Sequence, residues 1–130
     1  MLFALLVHGG PGGVASSLAA LRFAETLLAE GHAISRVFFH GDGAAHGNAM
    51  LVTPPTETDL PARWQSLARQ HGVELLACVG SATRRGVLDA REAARQGLPV
   101  SSLREGFELA GLGQLVDAAL RCDRLVSFGG

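Results

Sequence analysis

Apolar and polar positions along the chain change period repeatedly. Leu2 to Val7 is an unbroken apolar run, and Leu2 to His8 reads as a buried strand. Gly9 to Gly13 follows as a loop. From Ala15 to Glu30 the period lengthens, with Leu18, Leu21, Ala24, Leu27 and Leu28 at helical spacing and Gly31 placed to end the helix. Ile34 to His40 reads as a second strand and Gly41-Asp42-Gly43 as a turn. Ala44 to Thr58 carries mixed signals and two prolines, which predicts a long irregular loop. Asp59 is a natural N-cap, with Pro61 early in the helix that runs through Trp64, Leu67 and Ala68 to His71-Gly72. Val73 to Val79 is the third strand. A short helix is expected over Asp89 to Gln96, closed by Gly97, and a short strand or turn within Val100 to Phe107. Gly111 to Leu120 is the last helix and Arg124 to Phe128 the last strand.

Strands alternating with helices predict an α/β fold: a mostly parallel sheet with helices on both faces, in flavodoxin-like layers. The 130 residues fit one domain spanning positions 1–130, large enough to bury a core without a staple. No repeat or internal linker interrupts it. The apolar runs are too short to span a bilayer, and Met1 leads directly into a strand without a basic segment. Together with two cysteines and no disulfide framework, this points to a cytoplasmic protein with no membrane contact. The net charge of −1 offers no electrostatic footprint for nucleic acid. All eleven basic residues are arginines, so no lysine is present to form a Schiff base or hold a phosphate.

In such a sheet, reactive groups gather beyond the carboxyl ends of the strands. The loops starting at Gly9, His40 and Cys78 meet there. Cys78 ends the third strand and Arg84-Arg85 follow closely. Positive charge or a helix start favours the thiolate, the form of cysteine that attacks. The competing reading makes Cys78 a core residue and the arginines a solvated pair. Cys122 precedes the last strand, at the opposite edge. A seven-residue strand is roughly 23 Å long, whereas disulfide-bonded Cα atoms sit within about 7 Å, so a Cys78–Cys122 bridge is not expected. Cys122 reads as a small buried hydrophobe.

Other patterns are less specific. Cys78 to Arg84 has the C-x₅-R spacing of cysteine phosphatases and arsenate-type reductases, in which backbone N–H groups and the arginine hold the oxyanion. Only one glycine lies between them, and Ala77 stands where a histidine is often found. Asp89 fits an N-cap better than a general acid. Gly10-x-Gly12-x-x-Ala15 has the outline of a dinucleotide loop, but no acidic residue ends the second strand at the required distance. His40, Asp42 and His46 lack a diagnostic metal spacing and read as solvated or interface loop residues. His8 ends the first strand on the same edge as Cys78. Spacing alone leaves thiol chemistry of several kinds open.

The chain resembles the DsrE/TusD family of sulfur-relay proteins along essentially its whole length. The match rests on His71-Gly72-Val73, Cys78-Val79, Arg84-Arg85-Gly86-Val87, Gly106-Phe107, Gly111-Leu112-Gly113 and Cys122-Asp123-Arg124, with Val37-Phe38-Phe39 in the second strand. The loops Gly9 to Gly13 and His40 to Pro55 depart from the pattern. The resemblance implies a DsrEFH-like fold and a sulfurtransferase that carries persulfide sulfur on Cys78, with Arg84 and Arg85 supporting the thiolate. It implies TusB-like and TusC-like subunits in a heterohexamer, a TusA-like donor and a TusE-like acceptor. The end product would be 2-thiouridine at the tRNA wobble position, or the chain would act as a DsrE-type subunit in sulfur oxidation. No metal, nucleotide or other cofactor is implied, and no direct contact with RNA. The helix Gly111 to Leu120 and the Ala44 to Val52 region are candidate core or subunit interface.

Overall fold

A computed structural model describes residues 1–12 and 14–129. Five strands, β1 (Leu2–Val7), β2 (Ala33–Phe39), β3 (Glu74–Cys78), β4 (Phe107–Ala110) and β5 (Arg124–Phe128), form one sheet in the order β4-β3-β2-β1-β5. Every pairing is parallel. The helices are α1 (Ala15–Ala29), α2 (Leu60–His71), α3 (Val79–Arg84), α4 (Ala90–Arg95) and α5 (Leu112–Arg121).

Alternation along the strands divides the core. Phe3, Leu5, Val7, Val37, Phe39 and Leu75 point to the face covered by Leu21 and Leu27 of α1 and Trp64 and Leu67 of α2. Phe38, Leu76 and Cys78 point the other way, where they pack with Ala110, Leu6 and Leu115 of α5. Arg36 ties α5 to the sheet, donating to Gln114 O at 3.0 Å and Asp117 at 3.1 Å. Helices therefore cover both faces, as the alternating pattern predicts.

The boundaries follow local chemistry. Asp59 caps α2 by accepting from Ala62 N–H at 3.2 Å, and Gly72 closes it in the left-handed region at φ 66°. Asp89 caps α4 by accepting from Glu92 N–H at 2.7 Å, the N-cap role its sequence position suggests.

Three expectations are corrected. Gly41–Gly47 is a 3₁₀ helix, not turn and loop; only the part beyond it stays irregular. Its glycine-rich sequence hides it, because tertiary bonds build it: Gly43 N–H donates to His8 O and His40 O, both at 3.0 Å. Val79 leaves the third strand to begin α3, and Gly80-Ser81 belong to its first turn. At six residues α3 is too short to show a helical period. The third is the short strand or turn expected within Val100 to Phe107: the turn falls at Glu105-Gly106, Leu103 makes one antiparallel bridge to Asn48, and β4 begins only at Phe107.

Candidate active site

The site is built where β3 ends. Cys78 is the N-cap of α3 (φ −57°, ψ 122°), beside the unpaired N–H groups of the first turn. The residue is 8% exposed. Burial pushes the thiol pKa up. The polar hydrogens of Ser81 (N–H and hydroxyl) and of Gly80 N–H, together with the Arg84 charge, outweigh it and leave the pKa below the usual thiol value. Cys78 is thus held towards its thiolate form.

Ser81 is a residue of this candidate site that the sequence reading did not single out. Its Oγ accepts from Gly41 N–H at 2.9 Å, which leaves its own proton for the sulfur. The signal was present as Cys-x-x-Ser at a strand–helix junction, an N-cap to N3 spacing. It becomes visible only once the segment is known to be helical.

The two arginines part company. Arg84 is exposed at the end of α3 and adds positive charge near the thiol. Arg85 donates to Asp42 at 2.8 Å and to Ser81 O at 3.0 Å, clamping α3 to the 3₁₀ helix. Arg85 thus touches the carbonyl of the serine that holds the sulfur.

The residues from Val79 to Arg84 are helical, and about 9 Å of helical rise separates the two ends of a six-residue helix. Beyond the first turn the backbone N–H groups are bonded within the helix, so they do not wrap one anion. The C-x₅-R spacing here forms a helix and not an oxyanion cradle.

His8 and His40 lie together, their rings 5.6 Å apart and inclined at 84°. His46 is a correction: it is fully buried, not a solvated loop residue. Its Nδ1 hydrogen-bonds Gly43 O at 2.8 Å and its ring packs 4.9 Å from Phe39. Burial drives its pKa down to about 4, with the nearby Arg104 charge adding to the effect and the Gly43 hydrogen bond opposing it. Asp42 faces solvent beside Arg85, so His40, Asp42 and His46 do not converge. Among the described residues no group of three His, Cys, Asp or Glu side chains is arranged to hold a metal.

Cys122 also departs from expectation. It is partly exposed instead of buried, with its Sγ 3.6 Å from Ala119 O at the amino edge of the sheet. Both cysteines are free. The loop after β1 is closed by the Ser17 hydroxyl donating to Gly10 O at 2.7 Å. Gly13, part of the dinucleotide-like pattern, lies outside the described residues. Among the described residues no helix is long and apolar enough to cross a membrane.

Comparison with known proteins agrees with this architecture. The chain is 48% identical to the sulfurtransferase TusD of Serratia proteamaculans (strain 568), covering 97% of this chain and 98% of that protein. It is 45% identical to the sulfurtransferase TusD of Salmonella newport (strain SL254), covering 98% of this chain and 100% of that protein. The crystal structure of the ychN protein from E. coli superposes with a TM-score of 0.77 at 19% identity, covering 98% of this chain and 99% of that one, a likeness of fold. Residues 1–128 match the model of the DsrE/DsrF-like family, and the chain belongs to that family.

Proposed function

We infer that this sulfurtransferase carries its sulfur as a persulfide on Cys78. The supporting observation is the thiol's setting: a strand-end cysteine whose anionic form is favoured by Ser81, Gly80 and Arg84. In the reaction, the Cys78 thiolate attacks the outer sulfur of a donor persulfide, and the donor's own sulfur departs as a thiolate. An acceptor thiolate then attacks the outer sulfur of Cys78–S–SH, and Cys78 leaves. A low thiol pKa serves both steps, since it provides the nucleophile in the first and a good leaving group in the second. No oxidant is consumed, because one S–S bond is exchanged for another.

The relatives' name extends the reading. A TusA-like donor and a TusE-like acceptor would flank this step, in a cytoplasmic relay ending in 2-thiouridine at the tRNA wobble position. The chain would work in a hetero-oligomer with TusB-like and TusC-like subunits and touch no RNA itself. The exposed apolar residues Leu112, Val116 and Leu120 on α5 favour such assembly.

The test is to incubate the protein with a persulfide donor and measure intact mass. A gain of one sulfur atom, mapped to Cys78 and absent in Cys78→Ser, is expected. A sulfur adduct of equal yield on Cys78→Ser would overturn the assignment. Cys122→Ser should load normally.

A further inference from the structure

The sheet lines up three reactive side chains on one face of its carboxyl edge. Val7 pairs with Phe39, and Phe39 with Ala77, across β1, β2 and β3. The ladder continues one step, with His40 N–H donating to Val7 O at 3.0 Å and His8 N–H donating to Phe128 O at 3.0 Å. His8, His40 and Cys78 are therefore successive neighbours, on strands about 4.8 Å apart. Each follows by two residues a side chain of the α5 face: Leu6, Phe38 and Leu76, which pack in one cluster with Cys78. His40 remains extended at φ −122°, ψ 154°, so the alternation holds to its end. The 5.6 Å separation of the two imidazoles shows that both occupy the same face. The next residue, Gly41, is tied to Ser81, whose polar hydrogens favour the Cys78 thiolate.

The site as described stabilises a thiolate but lacks a proton donor for the thiolate that leaves. The Ser81 proton is directed at Cys78, and a guanidinium does not release a proton near neutral pH. We propose that His40 is the catalytic proton carrier of the transfer step, with His8 as the positioning residue that holds its ring. The inference rests on the persulfide reading above. Cys78–SH gives its proton to His40, and the thiolate attacks the outer sulfur of R–S–SH. The R–S bond to that sulfur breaks, its electron pair stays with R–S⁻, and a new S–S bond forms to Cys78. The His40 imidazolium then protonates R–S⁻. The sum is R–S–SH + Cys78–SH → R–SH + Cys78–S–SH, with no external oxidant or reductant.

The other charged or titratable groups at this edge of the sheet are His8 beside His40, Cys78 on β3 with Arg84 near it, and the Asp42–Arg85 pair between the 3₁₀ helix and α3. Asp117 and Arg121 of α5 are engaged at the other end of the sheet, with Arg36 and each other.

The test compares leaving groups. An alkyl thiolate, released by glutathione persulfide or glutathione disulfide, needs a proton to depart well. A nitroaromatic thiolate, released by a nitrothiobenzoate disulfide, does not. His40→Gln should slow single-turnover reaction of Cys78 with both glutathione reagents by about 10²-fold and leave them with the pH dependence of the nitroaromatic reaction, set by the Cys78 thiol alone. The nitroaromatic reaction should stay within about twofold by the same argument. His8→Gln should show the same selectivity to a smaller degree. Equal slowing with all reagents, or none, would overturn the proposal. If glutathione disulfide obeys this pattern while glutathione persulfide leaves no sulfur on the unaltered protein, the carrier reading fails and His40 keeps its role. Should His40→Gln not fold, the unaltered protein decides: its alkyl-to-aromatic rate ratio must fall as pH rises from 5 to 8, and a flat ratio overturns the proposal.

Discussion

The Ser81 hydroxyl accepts the Gly41 N–H at 2.9 Å, joining the start of the 3₁₀ helix to the first turn of α3. Because that bond occupies the oxygen, the serine proton is left for the Cys78 sulfur. Removing it in Ser81→Ala deletes a hydrogen bond to a charged group and leaves Gly41 N–H without this partner. Bonds of this kind contribute on the order of 1.5–3 kcal/mol, so the thiolate fraction at neutral pH should fall about tenfold. The pH dependence of Cys78 alkylation by iodoacetamide measures this directly. An unchanged midpoint would remove Ser81 from the site.

Arg84 and Arg85 should separate by readout. Arg84→Ala removes charge near the sulfur and should raise the thiol pKa while leaving the melting temperature in place. Arg85→Ala breaks an ion pair with a largely solvated carboxylate. Its expected cost is about 0.5 kcal/mol, seen as a small loss of thermal stability. Its effect on the thiol pKa should be the smaller of the two. Paired alkylation and melting curves on both variants check the division; a larger pKa rise in Arg85→Ala would reverse it.

These residues also mark what the sequence made legible. Cys78 could be placed at the carboxyl edge because long apolar runs report buried strands. That required only local pattern. Cys122 could be set at the opposite edge by the same argument, but its exposure depends on what covers the start of β5, which no local pattern encodes. Ser81 was invisible because α3 is held by tertiary bonds and carries no period of its own. The 3₁₀ helix at Gly41–Gly47 was missed for the same reason, and with it the burial of His46. Pairing of Arg85 with Asp42, 43 positions away in sequence, arises only when two loops meet. The fold was therefore written in periodicity, while the shell around the thiol was written in contacts between loops.

His46 makes stability depend on pH. Burial lowers its folded pKa from 6.5 to about 4, so the unfolded chain binds the proton more tightly. The full stability is present above pH 6.5. It falls as pH drops from 6.5 towards 4 and levels off below that, for this group. The span corresponds to roughly 3 kcal/mol in the limit of complete burial. Urea midpoints taken from pH 7.5 to 4.5 should decline, and His46→Phe should flatten the slope in this interval. An equal slope in the variant would assign the acid sensitivity to other groups.

Leu112, Val116 and Leu120 are spaced at i, i+4 and i+8 on α5 and are 55%, 57% and 82% exposed, while Leu115 and Ala118 turn inward. A helix with a second apolar stripe facing away from its own core needs another surface to cover it. Leu112 directly follows Gly111 at the end of β4, and Ala110 pairs with Cys78, so the stripe starts at the thiol edge. In the proposed assembly this stripe would meet a partner subunit. Val116→Asp should then prevent co-purification with TusB-like and TusC-like subunits, because a carboxylate would be buried in an apolar contact. The isolated chain should melt within about 0.5 kcal/mol of the unaltered one, since surface changes away from packed features cost little. Size-exclusion chromatography of the co-expressed subunits checks the first expectation and thermal melting the second. Intact assembly with Val116→Asp would place the subunit contact elsewhere.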